Sequence, residues 1–298
     1  MIINASALAN VFTAFSAVFN KAFQDTETWH EQVAMTVPAT TRIVDYKFLL
    51  DFPTVREWIG DRQISSMEAK SFQVQTKDYE ATIEIERNDL EDEQLGLYNP
   101  IIAAMAEQAK RHPEILIGGL LKNGASSLCY DGQNFFSTSH PVGTKTASNF
   151  DNGGNTPWFL IDQTRAVKPF IFQLRRAPQL VRMDRADQEH VFIHKKFRYG
   201  VDYRGAAAYG LWQMAYCSSQ ELSTTNYASA RAAMMSLTNA DGWPLGIKPT
   251  LLVVPPALEG KAREILNAQF LVGVSTPGKA VTNIWQGSAN LLVVPELA

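Results

Sequence analysis

Cys129, Asp131 and His140 fall within the stretch CYDGQNFFSTSHPVG (129–143), which places a thiol, a carboxylate and an imidazole close together in the chain. Cysteine catalysis needs a thiolate raised by a nearby base or a positive field, and donors for an oxyanion. Cys129 and His140 can meet across a loop, and a cytosolic cysteine hydrolase would use them as nucleophile and base. The opposing reading is structural. An apolar helix and Leu128 lead into Cys129, a setting for a buried, inert thiol. Asp131-Gly132 makes a turn, Phe135 and Phe136 pin the loop, and Ser139-His140-Pro141 opens the next turn. The structural reading accounts for more of these residues.

Other chemistry is weaker still. His190 and His194 bracket HVFIH, where Val191-Phe192-Ile193 favours a strand; residues four apart on a strand stand about 13 Å apart and do not share a metal. Asp89, Glu91, Asp92 and Glu93 read as a solvated face leading into a helix, not as a cation site. No Walker A motif, dinucleotide fingerprint or GxSxG elbow occurs. No catalytic residue, cofactor or metal is expected.

The composition narrows the class. With 298 residues, 46% hydrophobic and 19% charged, the chain is an ordinary globular one. A net charge of −3 gives no basic field for gripping nucleic acid. Two cysteines are too few for a disulfide framework and fit a reducing compartment. No secretory signal is expected, and no run reaches the roughly 18 apolar residues of a membrane span.

The elements that must position these residues begin with LANVFTAFSAVFNKAF (8–23). Leu8, Val11, Phe12, Phe15, Val18, Phe19 and Phe23 share one face of a helix. Its polar face lacks the Lys and Arg of a membrane-surface helix, so it should dock on protein, in a groove of its own chain or of another subunit. Pro53 should start a short turn over Thr54 to Ile59, stopped by Gly60-Asp61. SFQVQTKDYEATIEIER (71–87) alternates with period two and reads as a β-hairpin with its tip at Lys77-Asp78. A lone ribbon is marginal in water and must lie on a sheet or a neighbour. A helix should run from Asn99 as cap, with Pro100 in its first turn, to Asn123-Gly124, kinked or restarted at Pro113. Residues 125–157 have loop composition and are expected to be mobile. Short strands, a helix after Asn226, buried strands in KPTLLVVPP and NLLVVPEL, and a helix between them complete an α+β pattern without βαβ regularity.

FPTVREWIGDR (52–62), MEAKSFQVQTKDYEATIEIERNDLEDEQLGLYNP (67–100), CYDGQNFFSTSHPV (129–142), RAVKPFIFQLRR (165–176), YGLWQMA (209–215) and LGIKPTLLVVPPALE (245–259) occur in that order. On these the chain resembles the Mu-like phage and prophage major head subunit family, gene product T. The resemblance implies an α+β tailed-phage major capsid fold (Hong Kong 97-like) with an N-terminal arm, an extended β-hairpin loop, a peripheral domain with a spine helix, and an axial domain. Mapped onto this chain, these are 1–45 as arm, 46–87 as extended loop, 88–220 with 286–298 as peripheral domain, and 221–285 as axial domain. The division of 125–220 stays open, and the closing strand should return to the peripheral sheet.

The implied function is a self-assembling icosahedral shell that encloses double-stranded DNA without sequence-specific binding. The implied partners are copies of itself as hexamers and pentamers, a separate scaffolding protein and a portal protein, with no membrane. Assembly would take place in the bacterial host cytoplasm. Phe12, Phe15, Phe19, Phe72, Lys77 and Tyr79 are the expected assembly contacts. Removing 1–24 or the helix phenylalanines should abolish shells while leaving a soluble fold. Lys70 and Lys77 match no cross-linking motif. The alternatives are an encapsulin-like compartment of the same fold and the hydrolase.

Overall fold

The structure, a computed structural model, describes residues 3–49, 69–92, 94–185, 188–272 and 280–298. The turn expected after Pro53 and residue Glu93 lie outside the described residues. The apolar terminal segment forms α1 (Ala5–Asp25), capped by Asn4, whose side-chain oxygen accepts from the Ala7 N–H at 2.8 Å. A single turn, α2 (His30–Val33), leads into β1 (Ala34–Pro38).

Strands β2 (Ile43–Leu49) and β3 (Ala69–Gln75) pair antiparallel, from Ile43 opposite Gln75 to Leu49 opposite Ala69. The next strand, β4 (Lys77–Glu86), belongs to a different sheet, which corrects the hairpin expected over 71–87. Alternation identifies a strand but not its partner, and Lys77-Asp78 lacks the Asn-Gly chemistry of a tight hairpin turn. The chain changes sheets at Thr76, whose N–H and hydroxyl both donate to the Arg42 carbonyl, at 3.0 and 3.2 Å.

After α3 (Arg87–Glu91), the long helix α4 (Asn99–Asn123) begins one residue earlier than expected: Tyr98 flanks it and Asn99 is already helical. Pro113 does not divide it. Tertiary packing overrides the lost donor, since Ala109, Glu114, Ile117 and Leu121 around that turn are all buried. Then come β5 (His140–Val142), β6 (Lys145–Ala147), β7 (Phe150–Asp151), β8 (Trp158–Ile161) and β9 (Phe170–Met183). HVFIH forms a short helix, α5 (Glu189–His194), instead of the expected strand, so the strand spacing invoked for His190 and His194 does not apply. It ends at Lys195 with φ 55°, the left-handed conformation that closes helices.

The chain continues through β10 (Lys196–Tyr209), β11 (Ala215–Ser218), α6 (Thr224–Met235) and β12 (Leu251–Val254). It ends with α7 (Glu259–Asn267), β13 (Phe270–Val272), β14 (Ala280–Thr282) and β15 (Asn290–Val293).

Two larger sheets result. One has the order β1-β9-β10-β4, the other β15-β12-β8-β11-β7. The two LLVV runs lie side by side and parallel, Leu252 opposite Leu291 and Val254 opposite Val293. The closing strand therefore joins the five-stranded sheet. One core spans both sheets, from Phe170, Ile171 and Tyr209 to Trp158, Leu252 and Val253. A second core sits under α1: Leu8, Val11, Phe15 and Phe19 pack with Ile102, Met105 and Ala106 of α4 and with Phe197, Tyr199 and Val201 of β10. The groove for the terminal helix is thus in its own chain.

Candidate functional site

The residues able to do chemistry do converge. The end of α4 delivers the chain to Cys129, and Gly132 (φ 85°) takes the left-handed conformation that turns it back. Cys129 N–H donates to the Gln133 carbonyl at 2.8 Å, and Gln133 N–H to Asp131 Oδ1 at 2.9 Å. Asp131 also accepts from the Cys129 thiol at 3.0 Å and faces His140 Nδ1 through Oδ2 at 2.6 Å. The other imidazole nitrogen, Nε2, lies 3.0 Å from Asn149 Oδ1. The orientation of that amide is fixed, because its Nδ2 donates to the Phe135, Trp212 and Ala215 carbonyls and its oxygen accepts from Ser137 N–H. Both imidazole nitrogens therefore face acceptors. The ring lies flat on Trp212, 3.9 Å between centroids.

This geometry is a clip and not a catalytic pair. His140 is fully buried and spends both nitrogens on Asp131 and Asn149, so it takes no proton from Cys129. Burial pushes the Cys129 thiol well up, away from thiolate chemistry, and the Cys217 thiol likewise. Burial also works against the charge on Asp131, but hydrogen bonds from His140, Cys129 and Gln133 outweigh it and hold the carboxyl low. Cys129, Asp131 and His140 are the one trio with metal-ligand chemistry among the described residues. Their separations of 2.6 and 3.0 Å are hydrogen-bond lengths. Ligands about 2.0–2.3 Å from a zinc ion stand farther apart than this, so these lone pairs are already used. Within 125–157, the stretch expected to be mobile, Phe135, Phe136, His140 and Asn149 are buried anchors, whereas 143–146 and 152–157 are exposed.

Of the expected assembly residues, Phe72, Lys77 and Tyr79 line one groove, whereas Phe12, Phe15 and Phe19 belong to α1. Phe15 and Phe19 are each 1% exposed, inside the second core. Phe12 is half-buried with the Arg182 guanidinium 4.8 Å above its ring. Phe72 packs beside Val74 on Ala206 and Ala208, and Tyr79 stacks on Tyr203 at 5.0 Å. Lys77 is exposed, opposite Gly205 in the register. Two other residues escaped the sequence reading. Glu114, within a run read as apolar nearly all round, is buried and accepts from Trp29 N–H at 2.5 Å. Phe192 stands 84% exposed. A helical period across HVFIH would have flagged Phe192; nothing local distinguishes Glu114.

Residues 8–297 match the family described as Mu-like prophage major head subunit gpT. The chain is 38% identical over 308 aligned positions to the major capsid protein of Escherichia phage Mu, with all of both chains covered. It is 34% identical to the Mu-like prophage FluMu major head subunit of Haemophilus influenzae, over 87% of this chain and 88% of that one. Among solved structures, a chain of the procapsid of bacteriophage JBD30 superposes with a TM-score of 0.85 at 37% identity, covering 99% of this chain and 100% of its own. The two-sheet α+β architecture is that of a tailed-phage, Hong Kong 97-like capsid subunit, and the chain belongs to the Mu-like prophage major head subunit gpT family.

Proposed function

We propose that this major head subunit closes, through repeated copy-to-copy contacts, into an icosahedral shell of hexamers and pentamers around double-stranded DNA. Shell assembly takes place in the bacterial host cytoplasm on a separate scaffolding protein, and a portal protein occupies one vertex. The observation that carries the reading is the match to head subunits along nearly the whole chain, with a procapsid subunit sharing its fold. Its formal charge of −3 suits a container that does not grip its contents.

In this reading α1 and α2 are the arm, β1 passes from it into the four-stranded sheet, and the β2–β3 ribbon is the core of the extended loop. The peripheral body is the four-stranded sheet with α4; the five-stranded sheet, with α6 and α7, carries the axial body and takes in part of 125–220. Of the expected contacts, Lys77 and the exposed edges of Phe12, Phe72 and Tyr79 meet neighbours directly. Phe15 and Phe19 act by holding α1 in place.

Negative-stain electron microscopy with light scattering on the concentrated, purified chain, with and without Cys129→Ala, tests this. Shells, rings or tubes indifferent to the substitution are expected. A strictly monomeric chain in the presence of its scaffold would refute it.

A further inference from the structure

We propose that Asn152 is a site of self-modification, at which the Gly153 backbone nitrogen closes on the Asn152 carboxamide with the help of the Ser219 hydroxyl. The chain has two Asn-Gly pairs, Asn123-Gly124 and Asn152-Gly153. A glycine after asparagine leaves the following nitrogen open to the side-chain carbonyl. Asn152 and Gly153 are exposed, between β7 and β8. Ser219, just past β11, is 8% exposed, and its Oγ accepts from Gly153 N–H at 2.9 Å and from Gly154 N–H at 3.3 Å. Its own proton points to Asn152 Oδ1 at 3.1 Å. One hydroxyl thus joins the nucleophile's N–H to the carbonyl oxygen that must take up charge. The backbone of Ser219 is fixed, its N–H donating to the Asp151 carbonyl at 2.9 Å and its carbonyl accepting from Asn155 N–H at 2.8 Å. Glycine is also required at 153, where a Cβ would stand 2.7 Å from the Gln220 Cα. The other pair differs. Asn123 is the last residue of α4, and its Nδ2 donates to the Gly119 carbonyl at 2.9 Å, which ties the carboxamide to the helix.

The reaction needs only water besides the chain itself. The Gly153 nitrogen bonds to Asn152 Cγ while its proton passes to Ser219 Oγ and the hydroxyl proton passes to Oδ1. The tetrahedral centre then collapses: the proton on its oxygen moves to Nδ2, the Cγ–Nδ2 bond breaks, and ammonia leaves a succinimide. Water opens that ring at either carbonyl, giving aspartate or isoaspartate at 152. Each subunit so converted gains a negative charge beside Asp151 in an exposed loop.

The test is independent of shell formation. The purified full chain is held at mildly alkaline pH in oxygen-18 water, folded and in urea, and mapped peptide by peptide by mass spectrometry. In the folded chain, conversion at 152 should run at least about tenfold faster than at 123; in urea, where the bridge is lost, the two should run alike. Isoaspartate should accompany aspartate at 152, each with one heavy oxygen. Ser219→Ala should slow conversion at 152 about tenfold and leave 123 unchanged. The comparison of folded and unfolded wild type needs no variant, and so decides even where Ser219→Ala does not fold. A rate at 152 no higher in the folded chain than in urea, an unaltered rate in folded Ser219→Ala, or aspartate without isoaspartate would overturn the inference.

Discussion

The Phe15 ring stands edge-on to Tyr199 at 5.2 Å, and Phe19 stacks on Phe23 at 6.0 Å, both inside the core that α1 shares with α4. Truncating either to alanine should cost about 3–5 kcal/mol of folding stability, read from urea unfolding of the unassembled subunit. Their burial argues against the expectation that these residues can be changed, or 1–24 removed, without harm to the fold: such variants should lose subunit stability as well as shells. A Phe15→Ala subunit as stable as wild type would refute this.

At Asp131 the sign is set by a lowered carboxyl. Burial opposes its charge, but the bonds from His140, Cys129 and Gln133 outweigh burial. A depressed acid contributes stability that is present above its ordinary value of 3.8 and is lost as pH falls through its lower folded value. Asp131→Asn should lose about 1–3 kcal/mol near neutral pH, because it replaces the carboxylate that accepts from the Cys129 thiol and faces His140 Nδ1 in the interior. It should also flatten the acid limb of the stability curve. Equal acid limbs in thermal melts of the two proteins would contradict the clip.

Among the elements, the β2–β3 ribbon separates fold from assembly. Its last pair, Leu49 opposite Ala69, is closed by its own ladder, and its root is packed, Phe72 and Val74 against Ala206 and Ala208. Replacing residues 50–68 with Asn-Gly, a two-residue turn suited to a hairpin, should keep a folded subunit with the Leu49–Ala69 ladder closed and abolish shells. Shells of normal appearance from that chain would remove the ribbon from assembly. This element also marks what could be read in advance. Period-two alternation located β3 and β4, and three-to-four spacing located α1 and α4, because each pattern reflects one buried face. Partners were not readable: β4 pairs with β10, more than a hundred residues away, and the alternation is the same whichever strand lies alongside. At the clip, the sequence placed Cys129, Asp131 and His140 near one another and identified the loop as structural. It was silent on Asn149 and Trp212, which reach the clip only through the fold.

On the scale of the whole molecule, Glu114 joins three distant parts of the chain. Its carboxylate accepts from Trp29 N–H between α1 and β1. One turn further along α4, Gly118 leaves room for Glu296 of the closing turn; a Cβ there would stand 2.6 Å from the Glu296 Cβ. The Glu114 carboxyl is raised, first by burial and then by the nearby Glu296, with Trp29 N–H and Arg111 opposing. A raised acid has the opposite slope to Asp131. Its ionised form is a cost that is absent below the ordinary value of 4.5 and grows as pH rises through the folded value. Glu114→Gln keeps an oxygen for Trp29 and removes the charge. Its melting temperature should exceed that of wild type near pH 7 and converge with it near about pH 4. A lower melting temperature near pH 7 would mean that the charged bond to Trp29 outweighs burial. The junction of arm, long helix and closing strand would then be held by the carboxylate instead of strained by it.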